Sequence, residues 1–263
     1  MKLKYFSISF LLSLSVFTTS AQNIYSALHH DNPYDIKKDV PVSQVTTKTV
    51  FYNQSGTEVK KEVFSFNDKF KVTTEIRYDG TGKMTDRLTW MYDATGSKSI
   101  ARKYERWMNA LGYISETAYY EYDANGFQVK VIDKDQNGKV TSTTTIINDE
   151  KGYPIEVTVV TKNAVDYGKE TAQYDIENNI VTITSFGPYG NILSTHSEKI
   201  DFSKYDDDEV VNENGDPVRS DGYEFTYVYD KNLNWIKQTR YRIVNGKQVK
   251  NAEFTRDIKY SKK

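Results

Sequence analysis

The sequence predicts an all-β protein in which repeated antiparallel hairpins form one long, curled meander sheet. Three observations lead to this prediction: a turn motif that recurs along the chain, an even spacing of the turn glycines, and an alternation of residue types with period two. A short motif that repeats between β-rich segments is the sequence signature of a repeated supersecondary unit.

The recurring turn has the pattern Tyr-Asp-x-x-Gly. It occurs at Tyr78–Gly82, Tyr92–Gly96 and Tyr122–Gly126. Looser copies begin at Tyr52, Tyr174 and Tyr229. Asp or Asn early in a turn bonds to nearby backbone, and a late Gly supplies a positive φ. Each copy therefore predicts a tight turn between two strands.

The turn glycines lie 12, 14 or 16 residues apart, so every gap is even. They are Gly82, Gly96, Gly112, Gly126, Gly138, Gly152 and Gly168. Even gaps keep successive strands facing the same way, because a one-residue slip turns every side chain to the other face. The gaps leave strands of roughly nine or ten residues and on the order of fifteen strands, and a sheet that wide should curl, close or split.

Alternation with period two supports the strand assignment, because successive side chains of a strand point to opposite faces. Phe225, Tyr227 and Tyr229 fall on one face of such a segment near the end of the chain. The chain contains 21 tyrosines, a residue type enriched in strands. Exposed rings would suit sugar stacking or a protein partner, whereas cross-strand packing within the sheet explains the same rings without a ligand.

Residues 1–21 are predicted to be a signal peptide. Lys2 and Lys4 form a positive start, Phe6–Phe17 is mainly apolar, and Ala21 offers a small residue before a cleavage site at Gln22. The apolar segment is too short to span a bilayer, and no later stretch approaches about 18 apolar residues. We therefore expect an exported protein, periplasmic or secreted, with no helical membrane anchor.

Two regions are predicted after the signal peptide. Residues 22–44 form an irregular N-terminal leader that contains Pro33 and Pro41, with a short helix near Ile24–His29. Residues 45–263 form a single domain of β-hairpin repeats. The chain has no cysteine, so neither disulfides nor thiol catalysis can occur. Its net charge of −1 gives no broad electrostatic reason to bind nucleic acid.

The motif copies, together with Tyr229–Trp235, resemble the YD-repeat proteins of the Rhs and teneurin type. The resemblance extends from about Tyr52 to Tyr260. It implies long antiparallel hairpins that curl into an open, spiralling β-shell in an exported bacterial protein. The family's cargo-delivery function is not implied, since the chain is too short to enclose a cargo and lacks a self-cleaving module.

One segment matches part of a metal-binding motif. Asp133, Asp135 and Asn137, followed by Gly138, fit the first half of a calcium loop of the EF-hand kind. The twelfth position, which should be Glu, is Thr144. An acidic hairpin turn is the favoured interpretation of the segment, and a calcium site would need ligands from elsewhere in the chain. No other cofactor is predicted.

No catalytic motif is present: there is no nucleophile elbow, Walker motif or dinucleotide fingerprint. We therefore expect no enzyme but a non-catalytic exported module, binding or structural, that presents a curved, Tyr-rich sheet. A glycan or an envelope protein is the candidate partner. Two alternatives remain: a carbohydrate-binding or carbohydrate-active envelope protein, and an outer-membrane β-barrel. Strand length is compatible with a barrel, although Lys139–Thr145 offers no apolar lipid face.

Overall fold

The computed structural model describes residues 23–29, 34, 36, 40–108, 112–161, 166–201, 210–220 and 222–261. The predicted signal peptide, residues 1–21, lies outside the described residues. No helix in the described ranges is both long enough and apolar enough to cross a membrane.

The described residues form one short helix and 17 strands. The elements are α1 (Ile24–Leu28), β1 (Val42–Asn53), β2 (Gly56–Phe66), β3 (Val72–Tyr78), β4 (Met84–Tyr92), β5 (Ser99–Met108), β6 (Gly112–Tyr122), β7 (Gln128–Asp135), β8 (Val140–Asn148), β9 (Pro154–Thr161), β10 (Asp166–Asp175), β11 (Ile180–Phe186), β12 (Ile192–Lys199), β13 (Val210–Val211), β14 (Pro217–Ser220), β15 (Tyr223–Tyr229), β16 (Trp235–Val244) and β17 (Lys247–Tyr260). The predicted all-β fold of repeated antiparallel hairpins is confirmed. The first strand begins at Val42, inside the predicted leader.

All strands belong to one antiparallel sheet. Strands that follow each other along the chain pair as hairpins from β1 to β12 and again from β13 to β17. The last strand then returns to the first, with Phe254 opposite Thr49 and Arg256 opposite Thr47. The order across the sheet is therefore β13 to β17, then β1 to β12. Among the described residues, β12 and β13 each have one neighbour and form the open edges.

The connection between the two edge strands requires the sheet to bend. A flat sheet of 17 strands would hold its outermost strands about 77 Å apart, at about 4.8 Å per strand spacing. The chain from Lys199 to Val210 reaches at most about 40 Å even when fully extended. The two edges must therefore approach each other, and the sheet cannot be flat.

Each position of the recurring motif has a structural role, which the turn at Asp123 illustrates. The Oδ1 atom of Asp123 accepts hydrogen bonds from the backbone N–H groups of Asn125 (2.9 Å) and Phe127 (2.8 Å). Gly126 adopts a φ of 89°, and its N–H donates to the carbonyl of Asp123 at 3.1 Å. The acid and the glycine together close the turn.

The motif tyrosine fixes the strand on which it lies. The hydroxyl of Tyr122, at the end of β6, donates to the carbonyl of Ser99 at the start of β5 (2.7 Å). Tyr92 and Tyr174 make the same kind of bond, to the carbonyls of Val72 (2.7 Å) and Pro154 (2.8 Å). These three repeated tyrosines therefore connect neighbouring strands, which accounts for their recurrence without a ligand.

The turn predicted at Gly168 is wrong. Gly168 lies within β10, where it pairs with Val159 of β9, and it is not among the glycines with positive φ. The confirmed turn glycines, such as Gly126 and Gly152, follow an Asp by three residues. Val165 stands at that position before Gly168, so the side chain that would close the turn is missing.

The hydrophobic core lies on one face of the sheet, beneath α1. Ile24 of α1 is fully buried. It packs with side chains of β6 to β11, namely Ala118, Tyr120, Val131, Ile146, Val157, Val159, Val181 and Ile183. We call this the helix-bearing face. Residues opposite each other in antiparallel strands point to the same face, so the pairing register assigns every strand's side chains to it or to the other face.

Candidate functional site

The structure gives the three candidate calcium ligands different surroundings. Asp133 is buried on β7, where its Oδ2 accepts a 2.5 Å hydrogen bond from Ser142, and burial raises the pKa of Asp133. Asp135 closes the next turn, since its Oδ1 accepts from the N–H groups of Asn137 and Lys139 (both 2.9 Å). The described residues contain no group of three or more His, Cys, Asp or Glu placed to hold a metal ion. This geometry is that of an acidic hairpin turn, and a calcium site stays a prediction.

A cleft opens where the β1–β2 hairpin extends beyond β3. Lys61 and Tyr78 are the last residues that pair β2 with β3, whereas the preceding residues of β2 pair with β1 alone. The cleft has a volume of about 560 Å³ and lies between this extension and the β3–β4 turn. Its charged lining residues are Glu58, Lys60, Lys61, Glu62, Arg77, Asp79 and Asp86. Four acids and three bases nearly cancel, so the cleft has no strong net charge.

Two charged side chains of this cleft, Arg77 and Asp86, pair with opposite charges. The Nε atom of Arg77 lies 2.5 Å from Glu75 and 3.6 Å from Glu62. Asp86 accepts hydrogen bonds from Arg106 (2.9 Å) and Tyr104 (2.5 Å).

Hydrogen bonding lowers the pKa of two of the cleft acids, Asp79 and Asp86. Burial alone would raise the pKa of Asp86, but the hydrogen bonds from Tyr104 and Arg106 lower it overall. The Thr81 hydroxyl lowers the pKa of Asp79 in the same way. A general acid needs a raised pKa to hold its proton at neutral pH, so neither carboxylate suits that role.

A second feature on the same face is a row of four aromatic side chains along β15. Tyr223, Phe225, Tyr227 and Tyr229 occupy alternate positions and are half-buried. The ring centres of Tyr223 and Phe225 lie 6.5 Å apart, and those of Tyr227 and Tyr229 lie 5.9 Å apart with nearly parallel planes. We call this row the aromatic ladder.

The neighbouring strand places polar side chains beside the aromatic ladder. Gln238, Arg240 and Arg242 of β16 lie opposite Tyr227, Phe225 and Tyr223, respectively. The guanidinium of Arg240 lies 4.8 Å from the ring centre of Tyr223. The aromatic rings of β15 and the hydrogen-bond donors of β16 therefore lie side by side on one surface.

Hydrogen bonds hold two rings of the aromatic ladder in place. The Tyr227 hydroxyl donates to the carbonyl of Pro217 (2.8 Å) and accepts from Gln238 (2.9 Å). The Tyr229 hydroxyl donates to Asp216 and accepts from Asn212, both at 2.7 Å. Rings fixed before a ligand arrives lose little conformational freedom on binding.

Sequence reasoning found only part of this surface. The period of two placed Phe225, Tyr227 and Tyr229 on one face, and the structure confirms that they share it. Sequence reasoning missed Arg240 and the cleft, because the positions of both depend on the register between strands. The alternation of Gln238, Arg240 and Arg242 along β16 was the only available signal.

No family model matches the chain, and no curated protein matches it. Among solved structures, a porin-like protein from Bacteroides uniformis aligns with 84% of this chain and 97% of its own, at 12% identity and a TM-score of 0.42. A chain of the TcdB2–TccC3–Cdc42 complex aligns with 74% of this chain and 11% of its own, at 10% identity and a TM-score of 0.25. Similarity at this level carries no argument about function, so the resemblance to YD-repeat proteins rests on the motif residues alone.

Proposed function

We propose that the protein is a non-catalytic exported binding module whose aromatic ladder binds a glycan. The observation that carries the proposal is the ladder itself: four half-buried rings on alternate residues of β15, flanked by the polar side chains of β16. Export is inferred from the predicted signal peptide at residues 1–21.

The chemistry of the aromatic ladder fits a sugar chain. The C–H face of a pyranose ring is apolar and packs on an aromatic ring, while its hydroxyl groups need hydrogen-bond partners at the edge. Phe225 offers a ring face, and Arg240 and Arg242, whose guanidinium groups lie 4.8 and 6.0 Å from the ring centre of Tyr223, offer donors beside it.

The charge balance argues against a polyanionic ligand. The whole chain carries a formal charge of −1, so it has no broad excess of positive charge. Binding to a nucleic acid is supported mainly by an excess of Lys and Arg over the contact surface. A neutral, hydroxyl-rich ligand is therefore favoured.

We propose that the protein is not catalytic because of the pKa values and hydrogen bonds of its carboxyl groups. Glycoside hydrolysis needs two carboxyl groups that face each other across the bond to be cleaved, one of them protonated. Asp86 and Asp79 have lowered pKa values. Asp216, the acid beside the aromatic ladder, accepts a hydrogen bond from Tyr229 at 2.7 Å.

The test is a glycan array probed with the chain beginning at Gln22, followed by calorimetry on any glycan that binds. Phe225→Ala should weaken binding about tenfold, since it removes one stacking ring. Tyr119→Ala is the matched control, because Tyr119 is an exposed ring on the other face of the sheet. Equal losses in both variants, or no glycan bound, would refute the proposed ligand. Release of sugar from a bound glycan would refute the non-catalytic assignment alone.

A further inference from the structure

The two open edges of the sheet differ in how well they are protected against further strand pairing. The edge strand β13 has only two residues, and its pairing with β14 is irregular. The edge strand β12 has eight residues, no proline and six consecutive exposed side chains, from Ile192 to Ser197. Natural sheets protect an edge with short strands, bulges, prolines or lysines. Between Ser194 and Glu198, β12 has none of these, so it is the edge that is open to another strand.

The backbone groups of Thr195 and Ser197 point away from the rest of the sheet. The N–H of Ile200 donates to the carbonyl of Asn179 at 3.1 Å, on the side of β11. Hydrogen-bonded and non-hydrogen-bonded pairs alternate in an antiparallel ladder, so every second residue of β12 before Ile200 bonds to β11. Thr195 and Ser197 are the residues between these, and their N–H and C=O groups therefore lie on the open edge.

We propose that β12 pairs with β12 of a second copy of this chain, antiparallel about a two-fold axis that passes beside His196. In this register Thr195 of one copy bonds to Ser197 of the other, and the two-fold axis repeats the pair in the opposite sense. The outward N–H and C=O groups of both residues are then satisfied. His196 lies opposite His196 of the other copy, between the two hydrogen-bonded pairs.

The side chains that this register brings together suit each other. Glu198 lies opposite Ser194 of the other copy, so no second carboxylate faces it. Leu193, which is 65% exposed, lies opposite Lys199, whose aliphatic stem can cover it. Two-fold symmetry supplies each of these pairs twice, which favours a second copy over an unrelated strand. Two paired strands of eight residues bury less than the roughly 1,200 Å² of a stable interface, so we expect a reversible dimer.

The first test is disulfide cross-linking, since the chain has no cysteine of its own. In the chain beginning at Gln22, His196→Cys should form a disulfide-linked dimer in air, because Cα atoms about 4.5 Å apart across such a pair suit a disulfide. Ser194→Cys is the matched control: it is also exposed, but its two copies would lie about 13 Å apart along the strands and should link at least about tenfold more slowly. Equal rates, or faster linking of Ser194→Cys, would refute the pairing.

The second test measures the mass of the chain beginning at Gln22 by sedimentation over a range of concentrations. The mass should rise from that of a monomer to that of a dimer. Ser197→Pro removes an outward N–H but keeps the bonds to β11, so it should stay monomeric with an unchanged circular dichroism spectrum. A monomer at every concentration, or a folded Ser197→Pro that still dimerises, would refute the proposal. If Ser197→Pro does not fold, the cross-linking rates decide. Phe225→Ala should dimerise like the unchanged chain, which separates this proposal from the glycan test.

Discussion

The helix-bearing face is held together differently in its two halves. Across β6 to β11 it is mainly apolar, with Val131, Ile146 and Val157 buried under α1. Across β2 to β5 it carries an ionic network in which Arg77 contacts Glu75 and Asp86 binds Arg106. We call these the apolar half and the ionic half.

The difference shows that the hairpin repeat sets the backbone but leaves the composition of each face free. Apolar side chains on one face of a sheet must be removed from water, so the apolar half needs a cover, which α1 supplies with Ile24. Charged side chains that pair with one another can stay partly hydrated, so the ionic half has no such need. The position of the helix follows from this asymmetry.

The largest effect is expected from Ile24→Ala. Ile24 is completely buried, so truncation should lower the free energy of unfolding by about 3 kcal/mol, from lost burial and the cavity that remains. Urea unfolding measures the loss, and hydrogen exchange should speed up in β6 to β11 but not in β2 to β5. Tyr25→Ala, on the exposed side of α1, should have little effect. Equal acceleration of hydrogen exchange in both halves would show that the two halves unfold together, which contradicts this prediction.

A second change tests the packing of the apolar half. Gly152→Ala forces a side chain into a φ of 87° and against the Phe127 ring, and should destabilise by about 2 kcal/mol. Gly138→Ala is the control: its φ is 78°, but nothing lies within 4 Å of the added Cβ, so only the backbone strain of about 1 kcal/mol applies. The difference between the two midpoints in urea isolates the contact with Phe127. Identical midpoints would show that the ring moves aside freely.

A smaller effect is expected in the ionic half. Asp86→Asn removes the charge that Arg106 and Tyr104 bond to, and should destabilise by about 1 kcal/mol. Glu58→Gln breaks an exposed pair with Lys60 at 3.1 Å and should change stability by less than about 0.5 kcal/mol. Urea unfolding at low and high salt compares them. Equal losses would mean that burial does not strengthen the network.

The last effect is a pH dependence in β4 and β5, on the face of the sheet opposite the ionic half. The hydrogen bond from Arg87 (2.6 Å) lowers the pKa of Glu105 from 4.5 to about 2. The unfolded chain therefore takes up this proton first as the pH falls, so the stabilisation is complete above about pH 4.5 and disappears by about pH 2. Glu105→Gln should flatten the stability profile across that window. An unchanged profile would show that other carboxyl groups set the acid sensitivity.

The sequence predicted the turns well because their chemistry is local. Asp123, Asn125 and Gly126 make their bonds within five residues, so their identities are enough to define the turn. The failure at Gly168 supports the same point, since spacing alone selected it and no acid stands three residues before it.

The tertiary structure decided the features that depend on pairing between distant segments. The return of β17 to β1 joins residues about 200 positions apart, and the burial of Ile24 depends on strands more than 90 residues away. The polar side chains of β16 that lie beside Phe225 likewise depend on the register between strands. Short-range hydrogen bonds can be inferred from neighbouring residues, whereas burial and pairing are properties of the whole fold.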